Sequence, residues 1–210
     1  MFDFLRRLFA RPAADPLTGL DSARLRIIVG LGNPGPEYAG TRHNVGFRCV
    51  DTLAQRCAAA WQRHPSTHSL VALGHTDDLP LLMVKPQTYM NLSGGAVAEM
   101  MQRVVLDRQR LLVVYDDMDL PFGALRLRER GSPGTHNGMR SVVSALGEGV
   151  PRLRIGIGQA TPGAAIDHVL SGFSDDEEQA VNQLVNRAAD AAYAWATENA
   201  AAAMNRYNKI

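Results

Sequence analysis

His43 stands next to last in a fifteen-residue run at residues 30–44, Gly-Leu-Gly-Asn-Pro-Gly-Pro-Glu-Tyr-Ala-Gly-Thr-Arg-His-Asn, which follows a short apolar stretch. An imidazole titrates nearest neutrality among the side chains, which makes histidine the usual general base at physiological pH. The same run offers a carboxamide at Asn33 and an aromatic ring at Tyr38. Three more segments carry polar groups that can converge on His43: Lys-Pro-Gln-Thr-Tyr-Met-Asn-Leu-Ser-Gly at residues 85–94, Asp-Asp-Met-Asp-Leu-Pro at 116–121, and Gly-Ser-Pro-Gly-Thr-His-Asn-Gly at 131–138. Asp116 follows an apolar run, and a carboxylate at such a strand end can accept an imidazole N–H, fix its tautomer and raise its basicity. Asn33, Asn91 and Asn137 both donate and accept, which suits a peptide-like ligand. Taken singly each has a structural reading, because asparagine caps helices and builds turns and aspartate-rich loops end strands. Their joint occurrence with His43 is what points to a site.

The elements that must hold these groups alternate along the chain. Residues 25–29, 69–73, 81–85, 111–115 and 153–157 read as strands, and 45–61, 95–104 and 137–146 as helices. At 123–130 Leu125 and Leu127 face one way while Arg126, Arg128 and Arg130 face the other, which predicts a half-exposed strand with a basic face. Ser174-Asp175-Asp176-Glu177 fits a capping box opening a long closing helix. The expected fold is α/β, a single three-layer domain with a mixed, mostly parallel twisted sheet flanked by helices. Residues 1–22 are set apart as an N-terminal extension ahead of a domain at 23–210. The first twelve residues are basic and amphipathic and are open to four readings: a membrane-surface segment, a targeting segment, a tail docked on the domain, or, as termini usually are, a loosely attached and flexible extension.

Composition narrows the classes. The 210 residues suit one domain, and 46% hydrophobic and 20% charged residues are ordinary for a globular chain. A net charge of +1, from 22 basic and 21 acidic residues, leaves room for a local basic patch. Cys49 and Cys57, eight residues apart on one predicted helix, would be separated by roughly 12 Å, too far for a disulfide. They read as free thiols of a reducing cytosol. No apolar run reaches membrane-spanning length. Gly30-Leu31-Gly32-Asn33-Pro34-Gly35 matches a dinucleotide fingerprint literally, but Pro34 and Pro36 remove amide donors and Gly40 delays the helix that should meet a pyrophosphate. His64 and His68 flank Pro65, which disfavours a helical metal pair, and no metal or other cofactor is expected. Neither Ser93 nor Ser132 stands in a nucleophile elbow. His136 is open to two readings, orienting a substrate-binding neighbour or serving structure.

The motifs quoted, with Gly-Thr-His-Asn-Gly-Met-Arg-Ser at 134–141 and Arg-Leu-Arg-Ile-Gly-Ile-Gly at 152–158, resemble bacterial-type peptidyl-tRNA hydrolase from about residue 25 to the C-terminus. The resemblance implies hydrolysis of the ester between a peptide and the 3′ ribose of tRNA, freeing tRNA for translation. It implies His43 as the catalytic base and Asp116 as its partner. It also implies Asn33, Tyr38, Met90, Asn91 and Asn137 as substrate-binding residues, and Arg128 and Arg154 as a clamp for a tRNA phosphate. The first clamp position is often lysine in the family, so the charge is kept but its geometry changes. The implied partner is the acceptor stem and 3′ end of peptidyl-tRNA, with no metal and no membrane domain; the free thiols point to the cytoplasm, and the domain's size and lack of an obvious apolar patch favour a monomer. Two rivals are an RNA-binding homologue that has lost hydrolysis and an esterase for some other acyl ester. Intact His43, Asp116 and Asn33 speak against the first, and the second would not need the arginines.

Overall fold

The computed structural model describes residues 15–76, 79–104 and 106–209. Numbered in chain order, the strands are β1 (Arg26–Gly30), β2 (Gln62–Arg63), β3 (Ser69–His75), β4 (Pro80–Pro86), β5 (Leu111–Asp117), β6 (Leu125–Arg128) and β7 (Arg152–Gly156). The helices are α1 (Val45–Arg56), α2 (Ser93–Val104), α3 (Asn137–Leu146), α4 (Ala165–Leu170), α5 (Asp175–Thr197) and α6 (Ala200–Tyr207).

The apolar runs of β1, β4 and β5 are continuous rather than alternating because these strands are covered on both faces. One sheet runs in the order β2-β3-β4-β1-β5-β7-β6. Its four central strands, β4, β1, β5 and β7, are parallel, and antiparallel strands close both edges. Alternate residues of the central strands enter two cores. Ile28, Leu112 and Val114 pack with α1, α5 and α6, whereas Ile27, Val113 and Tyr115 pack with α2 and α3. The result is the expected mixed three-layer α/β sandwich.

Parallel strands place their carboxyl ends on one edge, so the turns after β1, β4 and β5 meet there. At the start of α1 the contact with the sheet is as close as two backbones permit. A methyl group on Gly46 would lie 2.5 Å from the Val114 carbonyl oxygen and 2.6 Å from that of Leu31. Only glycine allows this approach, and it draws the beginning of α1, with His43 just ahead of it, onto the end of β5.

Besides the two-residue strand β2, which the sequence reading did not contain, three elements depart from it. α1 ends at Arg56 and does not reach Trp61, because Ala58 takes a left-handed φ of 49° and turns the chain towards β2. The closing helix is two helices, since Asn199 caps α6 by accepting the Ala202 N–H at 2.8 Å. α4 has no buried residue and therefore no apolar stripe to betray it. Of the predicted extension, residues 1–14 lie outside the described residues. Leu17 packs into the α2–α3 core, and Asp15 accepts from buried His64 at 3.2 Å and pairs with Arg103. Asp15 and Leu17 thus touch the domain, while the readings given for the first twelve residues lie outside the described residues. Among the described residues no helix is long and apolar enough to cross a membrane, and both cysteines are free.

Candidate active site

His43 lies in a single 3-10 turn, Arg42–Asn44, that runs straight into α1. Its Nδ1 is 2.9 Å and 3.0 Å from the two carboxylate oxygens of Asp116, on β5. Both side chains are buried, Asp116 to 2% exposure. A second imidazole meets the same carboxylate. His136, the residue before α3, places Nε2 3.0 Å from Asp116 Oδ1, while its Nδ1 accepts the Met139 backbone N–H at 3.0 Å. That cap fixes its tautomer: Nδ1 is an acceptor, so Nε2 carries the proton and donates to Asp116. Burial would raise the Asp116 carboxyl, but His136 and then His43 outweigh it and hold the group well below the usual carboxylate range. Asp116 is therefore ionised and accepts the Nδ1–H of His43. Nε2 of His43 is left as the basic nitrogen, beside a cleft of about 330 Å³. His43, Asp116, His136 and Asn137 line this cleft with the apolar side chains Met118, Ile166 and Val169.

The donor atoms of His43, Asp116 and His136 lie within 4.8 Å of one another, the spacing of a metal triad. The hydrogen bonding argues against that use. Ligation through His136 Nε2 would move the proton to Nδ1 and set it against the Met139 N–H. As arranged, the triad suits proton transfer.

Asn33 is held by a reciprocal pair of bonds with Asn44: its N–H donates to Asn44 Oδ1 at 2.8 Å, and Asn44 Nδ2 donates to its carbonyl at 2.9 Å. Asn33 Oδ1 accepts the Met90 N–H at 2.8 Å. Its oxygen is thus occupied, and the amide NH2 remains to donate.

A second cleft, of about 210 Å³, is lined by Tyr115, Asp117 and four arginines, Arg128, Arg130, Arg152 and Arg154. In the β6–β7 ladder Arg126 stands opposite Arg154 and Arg128 opposite Arg152. Like charges in register repel, which makes this face a seat for an anion. Arg152 is spent on structure, donating to the carbonyls of Val150, Gly131, Ser132 and Glu148. Arg154 pairs with Asp117, and Arg128 has no partner among the described residues. Burial pushes the Tyr115 phenol up to about 12, so it stays a neutral donor.

The family model for peptidyl-tRNA hydrolase matches residues 27–210. The chain belongs to the peptidyl-tRNA hydrolase family. A peptidyl-tRNA hydrolase of Chloroflexus aggregans is 55% identical over 188 residues, 88% of this chain and 99% of that protein. One from Roseiflexus sp. is 51% identical over 185 residues, 87% and 85% of the two chains. The crystal structure of peptidyl-tRNA hydrolase from Acinetobacter baumannii, 33% identical, superposes with a TM-score of 0.83 over 88% of this chain and 95% of that one.

In this peptidyl-tRNA hydrolase family member seven of the nine residues named from sequence fall in three places. His43, Asp116 and Asn137 share the larger cleft, and Arg128 and Arg154 share the basic one. Asn33 and Met90 are joined to each other, and Met90 Sδ packs against Gly138 beside His136. Asn91, exposed on the turn Met90–Leu92, and half-buried Tyr38 are not in the lining of either cleft. Lys85 is not at the larger cleft either, since it pairs with Asp51 at 2.6 Å and sits over Trp61. Arg126 donates to the Asn208 carbonyl instead of facing the anion seat. His136 resolves as the second donor to Asp116, and Asn44 emerges as the residue that orients Asn33. The signal for His136 was its place one residue ahead of a predicted helix. Nothing in the chain pattern announced Asn44.

Proposed function

We propose that His43 is the general base with which this enzyme hydrolyses the ester between the peptide and the 3′ ribose of peptidyl-tRNA. The supporting observation is the bond from His43 Nδ1 to both oxygens of an ionised, buried Asp116, which directs the Nε2 lone pair to the substrate side. Nε2 takes a proton from water as the water oxygen attacks the ester carbonyl carbon, and Asp116 stabilises the imidazolium that forms. The Asn33 NH2 donates to the developing oxyanion. Collapse breaks the bond to the ribose oxygen, which takes the proton back from Nε2, leaving a peptide acid and free tRNA. An ester is activated enough for this route without a metal. Asn137, Asn91, Met90 and Tyr38 contact the peptide or its ester, and Arg128 and Arg154 hold a tRNA phosphate. The enzyme works in the cytoplasm as a monomer, with residues 23–210 as the catalytic domain and 1–22 as its extension.

The test is release of tRNA from N-acetyl-aminoacyl-tRNA, with the unacetylated substrate beside it. His43→Ala is expected to lower kcat by about 10²–10⁴-fold with tRNA binding kept. Full activity in that folded variant would remove His43 from the base role.

A further inference from the structure

The residue before the base is a buried cation. Arg42 Nη2 lies 2.7 Å from Glu177 Oε2, its Nε 3.4 Å from Ser171 Oγ, and its guanidinium 4.5 Å from the centroid of the Phe173 ring. Its backbone N–H donates to the Ser171 carbonyl at 2.9 Å, and Thr41 forms an isolated antiparallel bridge with Gly172. All of these partners fall within residues 171–177, the junction between α4 and α5. Glu177 is also the capping acid of α5, accepting from the Ser174 N–H at 2.8 Å and its hydroxyl at 3.1 Å. The His43 turn is therefore held at two ends: by His43 to β5 and by Arg42 to the α4–α5 junction. α4 itself supplies Ile166 and Val169 to the lining of the cleft that holds His43.

Two other arginines link α1 to α5, but differently. Arg48 reaches Glu178 at 3.2 Å and Arg56 reaches Asp190 at 2.6 Å, with the Arg56 and Asp190 side chains 39% and 49% exposed, against 11% for Arg42. Arg56 fastens one helix to another, while Arg48, 21% exposed, also lies 5.7 Å from the centroid of the Phe173 ring. The Arg42 clamp acts on the turn that carries the base.

We propose that Arg42 is a positioning residue of the catalytic centre. Its guanidinium clamps the His43 turn to the α4–α5 junction, so that the imidazole stays shared between both Asp116 oxygens and the α4 wall keeps its distance from Nε2. The inference rests on the assignment of His43 as the base. Displacement of a catalytic group by about 1 Å can cost on the order of a hundredfold in rate, whereas substrate held by the arginines of the second cleft is unaffected. The signature is a loss in kcat without a matching rise in KM.

The experiment compares wild type with Arg42→Gln, Arg42→Lys, Glu177→Gln and, as control, Arg56→Gln. Glu177→Gln removes the charge yet keeps a side chain that completes a capping box, so α5 remains capped. kcat and KM are measured on N-acetyl-aminoacyl-tRNA, and the hydrogen-bonded imidazole protons are followed by NMR. Arg42→Gln and Glu177→Gln are expected to lower kcat about tenfold or more, with KM within about threefold, while Arg42→Lys recovers part of the loss and Arg56→Gln matches wild type. The Nδ1 proton of His43 should shift or broaden while the Nε2 proton of His136, on the same carboxylate, keeps its position. Unchanged kcat in the folded variants, a change confined to KM, or both imidazole protons moving together would overturn the proposal. Loss of activity in His43→Ala beside normal Arg42 variants would sink this inference alone, whereas an active His43→Ala would sink the base assignment beneath it.

Discussion

Asp116 serves two imidazoles that are not equivalent. His43 has a nitrogen to spare at the cleft, while both nitrogens of His136 are committed, one to Asp116 and one to the cap of α3. His136→Ala therefore removes two things at once, a helix cap costing about 1 kcal/mol and one of the donors that keep Asp116 ionised. His136→Asn restores a capping side chain and is expected to recover most of the stability, read as the urea midpoint, but not the full kcat. Equal recovery of both would make His136 a cap and nothing more. Residues of this kind differ in how visible they are in a sequence. His43 and Asp116 stood out because a base and a carboxylate each followed an apolar run. The bonds that define His136 and Asn44 reach a carboxylate twenty residues away and a backbone eleven residues away, and a distance along the chain does not reveal which groups the fold will bring together.

At the scale of elements, the approach of α1 to the sheet decides where His43 sits. Alanine in place of Gly46 would ordinarily favour a helix by about 1 kcal/mol. Here its methyl would meet two backbone carbonyl oxygens at 2.5–2.6 Å, and neither can swing aside as a side chain would. Overpacking of this sort costs roughly 1–3 kcal/mol, so the clash wins. Gly46→Ala is expected to lower the denaturation midpoint and to reduce kcat by displacing the His43 turn, whereas an unperturbed or raised midpoint would show that α1 can lift off freely. Elements with a stripe were readable: α3 spans the predicted residues, and Leu125 and Leu127 of β6 face the core as their alternation required. α4 was not, because six residues without a buried position carry no periodicity. The end of α1 was misjudged because Trp61, which continued its apolar spacing, turns back to stack under Lys85.

For the molecule as a whole, stability should hold between about pH 4.5 and pH 9 and fall away on both sides. On the acid side, the Arg42 guanidinium and the Ser174 N–H hold the Glu177 carboxyl down at about 2, against an ordinary 4.5. The folded form binds that proton more weakly than the unfolded chain, so the stabilisation is full above the ordinary value and is lost as the pH drops towards the lower one. Asp116 adds to the loss in stronger acid. On the alkaline side, burial pushes the Cys49 thiol and the Tyr115 phenol up to about 12, from ordinary values of 9.0 and 10.0. The folded form there holds its protons more tightly, and the contribution is lost as the pH climbs from those values to about 12. Urea midpoints measured across this range test the shape, and Glu177→Gln should flatten the acid limb. An acid limb identical to wild type in that variant would remove Glu177 from the account.

The paired arginines across β6 and β7 also have a consequence for the enzyme at rest. Of the four arginines in register, Arg126 is tied to the Asn208 carbonyl, Arg152 to backbone carbonyls and Arg154 to Asp117, which leaves Arg128 as the charge that an anion would neutralise. A tRNA phosphate held there, as proposed, would neutralise that charge, and by linkage RNA and fold would stabilise one another. The backbone amides of this edge are then expected to trade hydrogen for deuterium more slowly with tRNA bound than without it. Occupancy by tRNA would then be written in the exchange of a few amides that never touch the scissile ester.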